Sequence, residues 1–357
     1  MKVTVIGAGA VGSWFGGLLA HHHPRTEVLF LARGPHREQI HRTGRVILKG
    51  RGGARNAPVT IADDVAQIAG SDFVLLTVKS RATEDAIRSS QPHLGNATVI
   101  SIQNGINQHV LTKYLPPERL VMGVTATNMA ILEPGTVNLQ RDGPSLLGPP
   151  SQEMSMDQTQ KAVRMLRTTG MTICSEPNIL GAQYNKMAFN ALGCAAALSE
   201  SNIISDGILH DRWRACVAVP LHRECKIILE QAGIEITRTP GLSDVYRFGR
   251  LLQTLGAPIS GKITKGVARM FFSKRPVLFS VYLDLKAGKP TEVESINGEI
   301  VRLAQKCGCR APYNEKVVEL VHELERREAR MFLPREEVIA RFMDLTRDTR
   351  QETRPVL

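Results

Sequence analysis

The sequence predicts an α/β amino-terminal domain, built on a doubly wound and mostly parallel sheet, followed by an all-α domain. Three observations carry this prediction. Short apolar runs alternate with helical stretches up to about residue 180, the pattern of strands covered by helices on both faces. From Gly181 onward the strand signal gives way to long helical periodicity. A glycine-rich turn, Gly7-Ala8-Gly9-Ala10-Val11-Gly12, joins the first apolar run to the first helical one. The chain has 357 residues, which suits two domains, because single cores rarely grow beyond ~250–300 residues. The expected boundaries are 1–180 for the first domain, 181–330 for the helical domain, and 331–357 for a carboxyl-terminal helix with a polar, mobile tail.

The first strand is read over 3–6 and the first helix over 11–22. This strand, glycine turn and helix order is the context in which G-x-G-x-x-G marks a dinucleotide-binding Rossmann domain. Gly7 makes the tight turn, Gly9 admits the pyrophosphate to the backbone, and Gly12 lets helix and strand pack closely. The helix start offers unpaired N–H donors to phosphate. The next strand, 27–31, runs into Ala32-Arg33 where an NAD site usually carries an acid for the ribose hydroxyls. A guanidinium there pairs with a 2′-phosphate and stacks on adenine, so the expected cofactor is NADP(H). His36 and Arg37 lie close enough to add charge. Further strands are read at 73–78, 98–102 and 120–124, separated by helices near 82–89 and 107–115, with a closing helix at 157–168 and strand at 171–174. Helices are then expected over 182–198, 212–232, 276–287, 292–306 and 312–330, two of them opening on proline, and over 335–345 in the tail.

Composition narrows the function. The chain is 43% hydrophobic and 22% charged, with no run near the roughly 18 apolar residues of a membrane span and no signal-peptide pattern at Met1. The expected location is the cytoplasm. Six cysteines (174, 194, 216, 225, 307 and 309) lack C-x-x-C pairs, so neither a disulfide framework nor a metal site is expected. Cys307-Gly-Cys309 reads as a helix end, and the His21-His22-His23 run as the end of the first helix. The net charge of +11 is dispersed among many acids. It suits anionic small molecules better than nucleic acid, whose binders cluster their charge.

Three clusters stand where such a fold places its chemistry. Lys79 follows one strand, and Gln103-Asn104-Gly105 follows another, at the carboxyl edge of the sheet. Taken alone, Lys79 reads equally as a surface lysine and Asn104-Gly105 as a turn. The third is Lys186-Met-Ala-Phe-Asn190. Residues 186, 190 and 194 share one helix face, so an alanine-rich helix carries a lysine able to give a proton to a ketone oxygen. An asparagine lies one turn further on.

In their order, these motifs resemble the ketopantoate reductase (2-dehydropantoate 2-reductase) family over roughly residues 1–330. They are G-A-G-A-V-G at 7–12, A-R-G at 32–34, V-K at 78–79, Q-N-G at 103–105, G-V-T at 123–125, E-P-G at 133–135, Lys186 with Asn190, and Thr291-Glu-Val-Glu-Ser-Ile-Asn-Gly298. The resemblance implies a Rossmann domain followed by a helical one and NADPH-dependent reduction of ketopantoate to pantoate, a step of pantothenate biosynthesis, by a cytoplasmic homodimer. Hydride would pass to the carbonyl carbon while Lys186, with Glu292 as its acidic partner, protonates the oxygen. It further implies that Arg33 and Lys79 meet the cofactor phosphate, that Asn104 lies near nicotinamide and substrate, and that Asn190 and Ser280 bind the substrate. Two departures concern the substrate. The family usually has a second asparagine where this chain has Cys194, a weak hydrogen-bonding group, and residues 237–275 form a longer segment than compact members need. That segment includes Lys262, Lys265, Arg269, Phe271 and Phe272 and suits longer helices, a dimer surface or a cap. Another branched or bulky 2-oxo acid is therefore the alternative substrate, and a non-catalytic NADP(H) sensor the alternative class. β-Hydroxyacid dehydrogenases also carry Lys and Asn on such a helix but lack the Q-N-G and T-E-V-E-x-I-N-G elements. A ketol-acid reductoisomerase needs carboxylate-bound Mg²⁺, and no matching acidic cluster stands in the sequence.

Overall fold

The computed structural model describes residues 1–50, 52–199, 203–238, 244–257, 261–262, 265–266, 279–327 and 332–352, apart from the side chains of 204–206 and 346–352. Backbone contacts divide the chain into two units: Met1–Gln183 with Thr237–Leu242, and Tyr184–Ile236 with Ser243–Leu357.

The first unit opens with β1 (Lys2–Ile6), α1 (Ala10–His22), β2 (Glu27–Leu31) and α2 (Gly34–Thr43). It continues through β3 (Arg45–Gly50), β4 (Gly53–Pro58), β5 (Thr60–Ile61), β6 (Phe73–Leu76), α3 (Thr83–Ser90), β7 (Thr98–Ser101) and α4 (Gln108–Leu111). Then come β8 (Leu120–Thr125), β9 (Asn128–Glu133), β10 (Thr136–Arg141), β11 (Ser145–Gly148), α5 (Asp157–Arg167) and β12 (Ile173–Ser175). Eight strands form one sheet in the order β12-β11-β8-β7-β6-β1-β2-β5. It is parallel throughout except where β11 runs against β8. The direction of winding reverses between β1 and β6, the switch point at which open α/β sheets bind ligands.

Apolar runs explain this sheet. Val74, Leu75, Leu76, Val99 and Ile100 are fully buried, as strands packed on both faces must be. On one side Phe15, Leu18 and Leu19 of α1 meet Val5, Phe30 and Leu75; on the other Ile87 of α3 joins Leu76, Val99 and Met122. Gly16 and Gly17 bring α1 close, since a Cβ on Gly16 would stand 2.6 Å from the Phe30 ring.

A second sheet, in the order β4-β3-β10-β9, lies outside the sequence prediction. β3 pairs antiparallel with β4 and parallel with β10, while β9 and β10 are joined through the Pro134-Gly135 turn. Ends also differ. The strand read over 73–78 stops at Leu76, and the helix expected over 107–115 is limited to Gln108–Leu111.

The second unit is helical. Its elements are the greater part of α6 (Ile179–Ala197), α7 (Asp211–Trp213), α8 (Val219–Gln231), α9 (Val245–Gly256), α10 (Ser280–Lys286), α11 (Val293–Lys306), α12 (Pro312–Arg326) and α13 (Arg335–Glu352). The single helix expected over 212–232 is divided by a π turn at Arg214–Ala218. Pro276 and residues 328–330 lie outside the described residues, as do Arg269, Phe271 and Phe272. Pro312 opens α12. The tail helix runs past 345 to Glu352. Trp213, Val217, Leu221, Ile300, Val317, Leu320 and Phe342 are buried in the interior of the second unit. The α12 start is held by Glu224, whose carboxylate accepts from the Tyr313 and Asn314 N–H groups at 2.9 and 2.8 Å. Cys307 caps α11 and Gly308 follows at φ +69°, the helix end read for this pair.

Candidate active site

At the carboxyl edge of the large sheet, each glycine of the first turn meets a different constraint. Gly7 has φ +91°, and a Cβ on it would stand 2.6 Å from the Val78 backbone nitrogen. Gly12 packs so tightly that a Cβ would collide with Thr77 Oγ1 and lie 2.7 Å from Val5 Cγ1. Gly9 is the opposite case: the only atom near its missing Cβ is its own loop's Gly7 oxygen at 3.9 Å. Ala8 is buried, Ala10 and Val11 are half-buried, and Gly9 is exposed. No side chain caps α1 and its first turn holds no acid. An exposed backbone at a helix start, with its flanks locked by glycine, fits a nucleotide pyrophosphate.

The neighbouring strand ends are tied to this turn. Gly7 N–H donates to the Leu31 carbonyl at 2.9 Å, beside the stretch leading to Arg33. Arg33 is exposed and occupies the N-cap of α2, whose first turn also lacks an acid. Half-buried Lys79 directly follows Val78. Gln103 Nε2 donates to the Val78 carbonyl at 2.7 Å, and Ser80 Oγ donates to the Asn104 carbonyl at 2.5 Å. Asn107 Nδ2 reaches the same carbonyl at 2.9 Å. Asn104, Lys79, the glycine turn and Arg33 therefore follow one another on the adjacent strand ends β7, β6, β1 and β2.

His36 has a role that the sequence did not reveal. Gly135 N–H donates to its Nδ1 at 2.9 Å, so the ring proton sits on Nε2 and points to Ser13 Oγ at 3.0 Å. The Ser13 hydroxyl donates onward to the Ala8 carbonyl at 3.0 Å. One neutral imidazole thus connects the glycine turn, the Arg33 loop and the E-P-G turn. Burial lowers its pKa to about 4, so it adds no charge at neutral pH, and Arg37 is paired with Asp63 at 2.5 Å. Of the charge expected from these two residues, His36 therefore supplies none, and that of Arg37 is engaged by Asp63.

In the second unit, α6 carries Lys186, Asn190 and Cys194 on one stripe. Lys186 and Asn190 keep partly open surface, while Cys194 is 1% exposed. Glu292, at the N-cap of α11, is 7% exposed and makes no capping bond to its own helix. Its negative charge acts instead on Lys186 and Cys194. Loss of hydration among protein atoms lowers the Lys186 pKa to about 8, against the opposing pull of Glu292. Burial first, then Glu292, pushes the Cys194 thiol upward. The expectation that Cys194 lines the substrate site is corrected by its enclosure: it is a neutral thiol packed inside the unit. Ser280 is exposed at the first position of α10. It follows Phe279, whose ring lies against Gly193 so closely that a Cβ there would collide with it. Gly193 thus brings Ser280 to α6, a signal hidden in an unremarkable helical glycine. Asn297 of the T-E-V-E-x-I-N-G motif is fully buried and donates to Asn314 Oδ1 at 2.9 Å, a tie between α11 and α12.

Residues 3–152 match the family model described as ketopantoate reductase PanE/ApbA, and residues 178–325 match that of its carboxyl-terminal domain. The chain belongs to the ketopantoate reductase family. As such it is an oxidoreductase acting on CH–OH groups with a pyridine nucleotide. The 2-dehydropantoate 2-reductase of Pyrococcus horikoshii is 29% identical over 320 residues, covering 88% of this chain and 94% of its own. Among solved structures, a PanE/ApbA family ketopantoate reductase from Ralstonia eutropha JMP134 has a TM-score of 0.73 at 24% identity, covering 91% of this chain and 98% of its own. A D-mandelate dehydrogenase solved with NADH and anilino(oxo)acetate has a TM-score of 0.75 at 23% identity, with the same coverage. These structural likenesses establish the ketopantoate reductase fold of this chain, an α/β sheet domain and a helical one.

Proposed function

We propose that this chain reduces ketopantoate to pantoate with NADPH, using Lys186 as the proton donor. The observation that carries the reading is Lys186 itself: a half-buried lysine on α6 with its pKa at about 8 and Glu292 acting on it. A group with a pKa near the working pH is the most effective general acid. When bound, the nicotinamide cofactor supplies the hydride.

Lys186 Nζ gives its proton to the substrate oxygen as negative charge develops there, and Glu292 keeps the ammonium protonated and oriented. Asn190 and the Ser280 hydroxyl bind the substrate carboxylate and hydroxyl groups. Gly7 to Gly12 and the start of α1 hold the pyrophosphate, Arg33 and Lys79 bind the 2′-phosphate, and the Asn104 side chain orients the nicotinamide end. The absence of an acid in the first turn of α2, beside Arg33, supports NADPH over NADH. No helix among the described residues is long and apolar enough to cross a membrane. Free cysteines suit the reducing cytoplasm assigned here. The homodimer rests on the family resemblance and is checked by light scattering.

The test is NADPH oxidation, followed at the nicotinamide absorbance, with ketopantoate beside a panel of 2-oxo acids. Turnover of ketopantoate above all others supports the substrate assignment. Preference for another acid keeps the mechanism and replaces the substrate. Tight NADPH binding with no turnover anywhere would make the chain a sensor.

A further inference from the structure

Helices α8 and α9 of the second unit line an open cavity of about 300 Å³ that includes none of the residues assigned above. α8 contributes His222, Arg223 and Lys226, and α9 contributes Tyr246, Gly249 and Arg250. No carboxylate lines it among the described residues. Glu230, outside the lining, pairs with Lys226 at 3.5 Å and hydrogen-bonds Tyr246.

His222 is the informative member. It is 4% exposed, and its Nε2 has no hydrogen-bond partner among the described residues. A buried polar atom left so is costly. Its ring hydrogen-bonds the Val245 backbone in the sense that favours a ring N–H donor, which leaves Nε2 as a bare acceptor. Burial lowers the His222 pKa to about 4, so that lone pair is present at neutral pH. Gly249 keeps the ring edge uncovered, since a Cβ there would stand 2.9 Å from His222 Cε1.

With Lys226 already paired to Glu230, a ligand for this cavity must therefore bring negative charge to Arg223 and Arg250 and an acidic hydrogen to one imidazole. Carboxylate and sulfate at neutral pH offer only lone pairs. Inorganic phosphate keeps anionic oxygens and an O–H together at neutral pH, and a phosphomonoester, whose second pKa is about 6, does so as its monoanion. We infer that the α8–α9 cavity is a binding site for a phosphate group, as the free ion or a small phosphomonoester, held by Arg223 and Arg250 and hydrogen-bonded to His222 Nε2. The volume leaves room for a few carbons beyond the phosphate, at the lower end of small-molecule sites.

The test is calorimetric titration of the full chain with inorganic phosphate, glycerol 3-phosphate and sulfate. Wild type and Arg33→Asp, which disables phosphate recognition in the first unit, are expected to bind phosphate alike. Arg223→Ala and Arg250→Ala change exposed side chains and are expected to weaken it tenfold or more, with NADPH oxidation unaltered in phosphate-free buffer. Sulfate is expected to bind at least tenfold more weakly than phosphate, a difference that His222→Phe removes. Tighter binding of glycerol 3-phosphate identifies an ester as the ligand, and weaker binding the free ion. Phosphate affinity unchanged by both arginine substitutions, sulfate binding equal to phosphate, or no binding at millimolar concentration would overturn the inference. Because its readout is binding at a site independent of Lys186, failure here leaves the reductase reading untouched.

Discussion

Replacing Glu292 by glutamine keeps the size of the side chain and removes its charge from Lys186. In the native protein, loss of hydration lowers the lysine to about 8 while Glu292 raises it. Without that carboxylate only the lowering influence remains. An opposite charge within a few ångströms shifts a pKa by about 1–3 units, each unit worth about 1.4 kcal/mol. The Lys186 pKa in Glu292→Gln is therefore expected below its native value of about 8. A one-unit fall takes the protonated share of Lys186 at pH 7.5 from about three quarters to about one quarter. The sign is fixed by the role. A proton donor is lost as pH rises, so kcat/KM for NADPH-dependent reduction declines above the lysine pKa, and the variant's decline begins at lower pH. The assay is kcat/KM for the 2-oxo acid, at saturating NADPH, from pH 5.5 to 9.5. An alkaline limb that stays near 8 in Glu292→Gln would refute the coupling, whatever the height of the plateau.

Arg33→Asp is expected to cost NADPH affinity by about 10–100-fold, the worth of a charged hydrogen bond of roughly 1.5–3 kcal/mol, while NADH is spared; fluorescence titration of both nucleotides checks this. Gly7→Ala is expected to destabilise the first unit by at least about 1–3 kcal/mol, because φ +91° and Val78 at 2.6 Å both oppose a Cβ; urea unfolding reads the loss. His36 is held neutral by burial, its pKa falling from 6.5 to about 4. The unfolded chain therefore binds this proton first, and the stability His36 contributes is present above pH 6.5 and lost as pH falls through 4. Thermal melts of wild type and His36→Gln should accordingly converge over that window, and a constant difference in Tm would contradict the assignment.

The large sheet was legible because strands buried on both faces are rich in apolar residues, as Phe73–Leu76 is throughout and Thr98–Ser101 is at Val99 and Ile100. The small sheet was not. β4 reads Gly-Ala-Arg-Asn-Ala-Pro with only Ala57 buried, so its composition is that of a loop and only its pairing with β3 makes it a strand. The glycine turn announced itself through local spacing, since each constraint arises within a few residues or from the adjoining strand. His36 could not be read in this way, because it acts through Ser13 and Gly135, 23 and 99 residues distant. Glu292 was legible only through its motif; as an isolated glutamate at a helix start it would have read as a cap, which its missing capping bond excludes. Gly193 is silent in sequence for the same reason as His36: Phe279, which needs the space, lies far along the chain.

The central claim is that Lys186 supplies the proton, and it is tested most directly by turnover of ketopantoate and NADPH in Lys186→Ala. The account predicts a fall in kcat of about 10²–10⁴-fold, the usual worth of a positioned acid, with the NADPH Kd unchanged. Turnover equal to wild type would contradict it.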